Sequence, residues 1–338
     1  MRILLSSHLF HPSVGGIEQV TAMLADEFVA QGHEVKVITQ TLTNESDNFS
    51  YAVFRQPLQR QLLGLVKWCD VFLHNNISLA TAWPLLFVKR PWIVVHQTWI
   101  SRENGCLNWQ DHLKRFLIRF ATNISISQAI ADNLPTPSVV IGNPYRDDLF
   151  CVLQGVNRDK ELVFLGRLVS DKGADLLIEV LGRLKTERIE PKLTVIGAGP
   201  ELEALGQLTA RYGVTRQVSF VGLRRNRELV ELLNRHKIMI VPSRWHEPFG
   251  IIALEGIACG CVVTGSEGGG LKDAIGPCGV TFPNGDPIAL AKILADLLRS
   301  PGDMAAYLEK AADHLSTYTR SAVVKAYIKV IEAKLQHG

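Results

Sequence analysis

Short apolar runs alternate with longer stretches of helical spacing along nearly the whole chain, and that alternation leaves few folds open. It is the pattern of parallel strands whose connections cross back as helices over both faces of a sheet. Residues 3–6, 34–39, 69–73, 92–95, 123–126 and 139–141 read as strands in the first half. Residues 162–165, 193–196, 218–221, 238–241, 261–264 and 279–282 read as strands in the second. Between the first two, Ile17, Val20, Leu24 and Phe28 fall at near-helical spacing, and Gly32 sits where such a helix should stop. The polar stretch 41–54 has no pattern and reads as an exposed loop, while 303–315 and 321–335 read as two amphipathic helices. Glycine, proline and charge interrupt the apolar pattern from Gly142 to Lys160, which divides the chain into 1–150, 151–318 and a closing helix, 319–338.

At 338 residues, each half is long enough to bury its own core. Apolar residues make up 47% and charged residues 20%, which excludes a disordered chain. A net charge of +3 is too small for a nucleic-acid binder working by bulk electrostatics, so no nucleic-acid partner is expected. No apolar run approaches the roughly 18–20 residues that span a bilayer, and the stretch 3–6 is too short for a signal-peptide core. Cys69, Cys106, Cys151, Cys259, Cys261 and Cys278 lack the paired spacings of a zinc site or a disulfide framework. Asn-x-Ser triplets at Asn44, Asn48 and Asn123 matter only in a secreted chain, and the expected compartment is the cytosol.

Open α/β sheets bind ligands beyond the carboxyl ends of their strands, so glycines and charges just after strands carry the functional signal. Gly15 and Gly16, in Pro12-Ser13-Val14-Gly15-Gly16-Ile17, follow the first strand and open a helix. Paired glycines there either admit a phosphate to the helix amino end or form a tight turn needing positive φ. Arg167 stands at a strand's end and Lys172 five residues on, at the start of the next helix; such a pair suits a diphosphate. Gly197, in Gly197-Ala198-Gly199-Pro200-Glu201, and Gly222-Leu223 each repeat a strand-to-turn arrangement where a base or sugar edge could rest. The segment Trp245-His246-Glu247-Pro248-Phe249-Gly250-Ile251-Ile252-Ala253-Leu254-Glu255 is the most specific. Pro248 suits a first helical turn, which puts Glu247 just before the helix, the amides of Gly250, Ile251 and Ile252 at its start, and Glu255 about two turns inside. An acid in that apolar run needs a partner, either ribose hydroxyls or a neighbouring basic residue.

His96 ends a strand of the first half and reads either as a structural histidine or as a group near reacting atoms. No Asp-x-Asp triplet occurs, so no metal site is expected and leaving-group charge falls to protein cations and helix dipoles. Trp109, Leu113, Phe116, Leu117 and Phe120, interleaved with Lys114, Arg115 and Arg119, form a basic amphipathic helix. It either packs on the first sheet with its cations in water, the plainer reading, or lies on an anionic membrane surface.

Together these motifs resemble the family-4 glycosyltransferases, retaining enzymes of the GT-B fold, and the likeness runs almost end to end. The resemblance implies two Rossmann-like, doubly wound α/β domains facing a cleft, the first holding the acceptor and the second a nucleotide-sugar donor, with the last helix crossing back to the first. It implies that Arg167 and Lys172 bind the donor diphosphate and Glu255 the ribose. Glu247 and the backbone of Phe249, Gly250, Ile251 and Ile252 would hold the transferred sugar, with Gly16 near the phosphates and His96 near the sugar. One departure is Gly268-Gly269-Gly270-Leu271-Lys272-Asp273, where the family often has Gly-Gly-x-Pro-Glu, so the local turn is expected to differ. The expected partners are the donor, UDP-glucose first and GDP-mannose second, and a glycan or lipid-linked acceptor, with peripheral contact at the inner membrane face a further option. No cofactor is expected beyond the donor substrate. Competing readings are a nucleotide-sugar 2-epimerase of the same architecture and a non-catalytic nucleotide-sugar-binding subunit. A dinucleotide oxidoreductase lacks its glycine fingerprint here.

Overall fold

A computed structural model describes residues 1–13, 15–43, 47–101, 105–300 and 302–336. Val14 of the first glycine motif and the Asn44 triplet lie outside the described residues. The chain forms two compact units, Met1–Pro144 with Tyr318–Gly338, and Tyr145–Thr317. The first change of unit comes at Pro144 rather than near 150, because Asn143 still donates from Nδ2 to Gln97 Oε1 at 2.6 Å.

The first unit runs β1 (Arg2–Ser7), α1 (Gly16–Ala30), β2 (Glu34–Thr39), β3 (Ala52–Arg55), α2 (Gln59–Trp68) and β4 (Val71–Asn75). It continues with α3 (Leu79–Ala82), β5 (Trp92–His96), α4 (Trp109–Leu117), β6 (Thr122–Ser125), α5 (Gln128–Asn133) and β7 (Val139–Val140). Its seven strands are parallel in the order β3-β2-β1-β4-β5-β6-β7. β4 and β5 are buried along their whole length, as strands covered by helices on both faces must be. Two expectations fail here. β3 overlaps the end of the stretch read as loop; it is a short, half-buried edge strand whose apolar run, 51–54, follows a long polar stretch. Most of the apolar side of α4 stays outside the core: Trp109 and Phe116 are exposed, Leu117 packs partly against it, and only Asp111, the capping-box partner of Asn108, is fully buried.

The second unit runs β8 (Lys160–Leu165), α6 (Ala174–Thr186), β9 (Leu193–Ile196), α7 (Leu202–Arg211), β10 (Val218–Gly222), α8 (Asn226–Asn234) and β11 (His236–Val241). It ends with α9 (Ile251–Ala258), β12 (Val262–Ser266), α10 (Leu271–Ile275), β13 (Gly279–Phe282), α11 (Pro287–Arg299), α12 (Asp303–Leu308) and α13 (Ala311–Ser316). The helix expected over 303–315 is therefore two short ones, parted at Glu309 and Lys310. Six parallel strands take the order β10-β9-β8-β11-β12-β13. Leu177, Leu181 and Leu184 recur at helical spacing on α6 and join Leu290, Leu294 and Leu297 of α11 in one core with Phe164 and Ile240. Asp286 fixes where α11 starts, accepting from the amides of Ile288 and Ala289 at 2.8 and 3.0 Å just ahead of Pro287.

The last helix, α14 (Arg320–Gln336), belongs to the first unit. Val323, Val324, Tyr327 and Ile331 are its buried stripe, and Tyr327 meets Phe28 of α1 edge-on at 6.5 Å between ring centroids.

Candidate active site

Strand order reverses in each sheet at one place, between β1 and β4 and again between β8 and β11. Two neighbouring strands there send their connections to opposite faces, which opens a crevice beyond their carboxyl ends. In the second unit this brings together segments some 75 positions apart: the turn after β8, with Arg167 and Lys172, and the loop after β11, with Glu247. The two are pressed close. A Cβ on Gly173 would stand 2.1 Å from the Pro242 carbonyl oxygen, and the amide of Arg244 donates to the Asp171 carbonyl at 2.8 Å. The Arg244 guanidinium then clamps Asp175 of α6 with a two-pronged fork at 2.6 and 2.7 Å.

Lys172 lies in a 3-10 turn, Ser170–Lys172, ahead of α6 rather than on its first turn. It is also not a free cation, as expected from its spacing to Arg167: its Nζ donates to Glu247 Oε1 at 2.5 Å, and Ser243 Oγ donates to the same oxygen at 2.8 Å. Glu247 Oε2 has no protein partner among the described residues. Arg167 is exposed and unpaired among the described residues. Backbone contacts hold Glu247 from the other side. Its carbonyl accepts from the Gly270 amide at 2.7 Å, and it bridges in parallel to Gly269, whose missing Cβ would lie 2.2 Å from that carbonyl oxygen. The departure at Gly268-Gly269-Gly270 is thus the floor under Glu247.

α9 begins at Ile251, after Gly250 in the left-handed region at φ 105°, so Pro248 precedes the helix instead of opening it. The amides of Ile251 and Ile252 occupy the first turn, where N–H groups lack intrahelical acceptors. Glu255 consequently sits about one turn inside, not two. It is buried, and no basic residue pairs with it among the described residues. Burial pushes its carboxyl up to about 8, against a weaker downward pull from the charge of Arg146. The Phe249 side chain is core.

Gly197 and Gly222 answer to the backbone. Gly197 takes φ 150°, and a Cβ there would fall 1.9 Å from the Gly166 carbonyl oxygen; its amide bonds the Gly222 carbonyl at 3.0 Å. Gly222 ends β10 with φ 72°, and the Leu223 side chain is exposed.

In the first unit, Gly15 caps α1 in extended backbone at φ −167°, so the tight-turn reading with positive φ does not apply. The close neighbour here is a side chain. The Glu18 carboxylate folds back over the turn, bonded by Ser13 Oγ at 3.1 Å, and a Cβ on Gly15 would lie 2.5 Å from it. The helix end that opens at Gly16 already has an anion of its own. His96 ends β5 fully buried, with Nε2 2.9 Å from Asn123 Oδ1. That oxygen can only accept, so Nε2 carries the proton and Nδ1 is a bare acceptor. Burial pushes the ring down to about 4, with the Asn123 hydrogen bond opposing, and His96 is neutral at physiological pH.

Residues 147–315, which contain the whole constellation of the second unit, match the glycosyl transferases group 1. The chain belongs to that family. An uncharacterized glycosyltransferase of Methanocaldococcus jannaschii is 27% identical over 310 residues, 78% of this chain and 79% of that protein. The glycogen synthase of Mycobacterium tuberculosis is 35% identical over 223 residues, 61% of this chain, and the match spans only 52% of that enzyme's length. Among solved structures, Anabaena HepE in complex with UDP superposes with a TM-score of 0.81 at 20% identity, over 98% of this chain and 100% of that one. The same protein with UDP-glucose gives 0.77 at 19%. The GT-B fold expected of the chain is the fold of these solved structures.

Two parts of this candidate site were invisible in its motifs, the Arg244–Asp175 fork and the Ser243 hydroxyl on Glu247; the glycine run at Gly269 stood out as a departure, but not as a floor under Glu247. Asp175 in the first turn of α6 was the one available hint, since an acid there is favoured by the helix dipole. Glu255 yields a pH prediction. Between the ordinary carboxyl range and about 8, the folded protein holds a proton that the unfolded chain has released. The stabilisation this gives is complete at the acid end of that window and is lost as pH rises through about 8. The wild type should therefore lose stability relative to Glu255→Gln by up to about 1.4 kcal/mol per pH unit across it. Urea midpoints of both proteins at mildly acidic and mildly alkaline pH check this; parallel pH profiles would refute it.

Proposed function

We propose that this chain transfers a hexosyl group from a nucleotide-sugar donor to a glycan or lipid-linked acceptor with retention, in polysaccharide or glycoconjugate biosynthesis. UDP-glucose is the first donor and GDP-mannose the second; the UDP and UDP-glucose bound by Anabaena HepE on the same fold support that order. The observation that carries the reading is Glu255, a buried carboxyl without a protein partner among the described residues, at the switch point of an α/β sheet. Leaving it so is costly unless a ligand completes it, and two ribose hydroxyls are donors that would.

Around that anchor the other groups take consistent roles. Arg167, unpaired and exposed, receives the diphosphate, aided by Lys172 and the first-turn amides of Ile251 and Ile252. Lys172 shares its charge with Glu247, so the ion pair orients the carboxylate while Oε2 accepts from a sugar hydroxyl. In the reaction, the bond from the anomeric carbon to the phosphate oxygen breaks through an oxocarbenium-like state. The acceptor oxygen bonds to that carbon on the same face, and its proton passes to the departing phosphate oxygen. In the first unit, Gly16 at the start of α1 and neutral His96, whose Nδ1 can accept from a hydroxyl, are separate candidate ligand contacts. Protein cations neutralise the leaving group, and transfer proceeds without a metal.

Arg167→Ala should weaken UDP binding by about 1.5–3 kcal/mol, the range for hydrogen bonds to a charged group. Calorimetric titration of the wild type and the variant decides it. An unchanged Kd in a folded variant removes Arg167 from the donor site.

A further inference from the structure

The first unit carries an apolar face that none of its described residues covers. Phe116 and Phe120, edge-on to each other at 5.6 Å between centroids, are 53% and 68% exposed, and Leu86 and Phe87 are 76% and 77% exposed. Trp109, on the same helix as Phe116, is exposed as well. Between the helix α4 and the segment that follows α3 lies a groove of about 860 Å³, lined by Trp83, Leu86, Leu113, Phe116 and Phe120 among others. Exposed apolar area with a polar rim marks an interaction surface.

The rim identifies the partner. Lys89, Arg90 and Lys334 line the groove, Arg119 flanks Phe120, and among the described residues no acidic side chain lines it. Arg90 is held by the carbonyls of Val66 and Lys67, Arg115 by Asn133, and Lys114 stands 3.9 Å from Asp111. Lys89, Arg119 and Lys334 have no protein partner among the described residues. Protein–protein interfaces are depleted in lysine, and a two-fold contact between copies would set these like charges against each other. Aromatic and aliphatic side chains surrounded by unpaired cations instead match a surface whose apolar interior lies beneath an anionic layer. No helix of the described residues is long and apolar enough to cross a membrane, so the contact is with a surface.

We propose that this face docks on an anionic lipid bilayer. Phe116, Phe120, Leu86 and Phe87 enter the acyl boundary, and Lys89, Arg119 and Lys334 meet the headgroup phosphates. The proposal rests on the first unit alone and stands whether or not the donor assignment holds.

Co-sedimentation of the full chain with vesicles of phosphatidylglycerol and phosphatidylcholine in equal parts tests it, beside vesicles of phosphatidylcholine alone. The protein should pellet with the anionic vesicles, weakly with the neutral ones, and less as salt rises. Phe116→Ser with Phe120→Ser should lower partitioning at least about tenfold, because each removes a large apolar side chain from the acyl boundary. Lys89→Ser, Arg119→Ser and Lys334→Ser should each weaken it about fivefold, and only on anionic vesicles. All five positions are at the surface, and circular dichroism confirms folding. Failure to pellet with anionic vesicles, or unchanged partitioning of the phenylalanine variant, overturns the proposal. So does a vesicle-free dimer that the same serines dissociate, since a second copy would then cover the face.

Discussion

Gly197→Ala is expected to destabilise the ligand-free protein by about 2–6 kcal/mol, adding the strain of a disfavoured φ to the cost of overpacking. The Cβ would meet the Gly166 carbonyl oxygen at 1.9 Å, and that atom is backbone, with no rotamer to swing aside. The turn after β9 must therefore move away from the turn after β8, which breaks the Gly197 amide's bond to Gly222. The alternative, that Gly197 exists to let a ligand approach, predicts a variant of normal stability and poor nucleotide affinity. Urea unfolding without nucleotide separates the two; an unchanged midpoint would assign Gly197 to the ligand. Arg167 leaves β8 next to this contact, so lost donor binding in the variant would follow from the displaced turn.

Tyr327→Ala should cost about 3–5 kcal/mol, the range for truncating a large buried aromatic. Tyr327 is fully buried between α14 and α1, and its ring supports Phe28. Tyr327→Phe should do the reverse on a smaller scale, neutral or stabilising by up to about 1 kcal/mol, because the hydroxyl it deletes is buried with no partner among the described residues. The pair of substitutions thus separates ring packing from polarity at one position. A two-unit chain need not unfold in one step. Five of the six tryptophans, Trp68, Trp83, Trp92, Trp99 and Trp109, lie in the first unit, so tryptophan fluorescence follows the half that α14 closes. An alanine variant whose fluorescence transition does not shift would show that α14 contributes little to that half.

The comparison of sequence with structure turns on what each signal is made of. Strands 34–39, 193–196 and 279–282 were legible to the residue: 193–196 is a buried apolar run, and the other two have apolar residues bounded by glycine turns. Ala52–Arg55 was not, since its short apolar run, 51–54, follows a long polar stretch. Cys69 was read into β4 but instead ends α2, its thiol bonded to the Val66 carbonyl at 3.3 Å. At the site, residue types were readable and pairings were not. The joining of Lys172 to Glu247 depends on β8 lying beside β11, and no local pattern encodes which strands are neighbours. The start of α9 was misplaced at Pro248 because the chain first passes through a left-handed turn at Gly250, a conformation that the proline does not signal.

The first unit is made from two separate pieces of chain, and its second piece arrives late during synthesis. The face of α1 around Phe28 must wait for Arg320–Gln336, with the 173 residues Tyr145–Thr317 translated in between. At translation rates of about 5–20 residues per second, that is a wait of roughly 9–35 s. The intervening unit is continuous and can fold on emergence, so the half begun first is the half finished last. Throughout that interval the nascent protein offers the ribosome's surroundings an open apolar seam, which makes the closing helix the step where folding chaperones have the most to do.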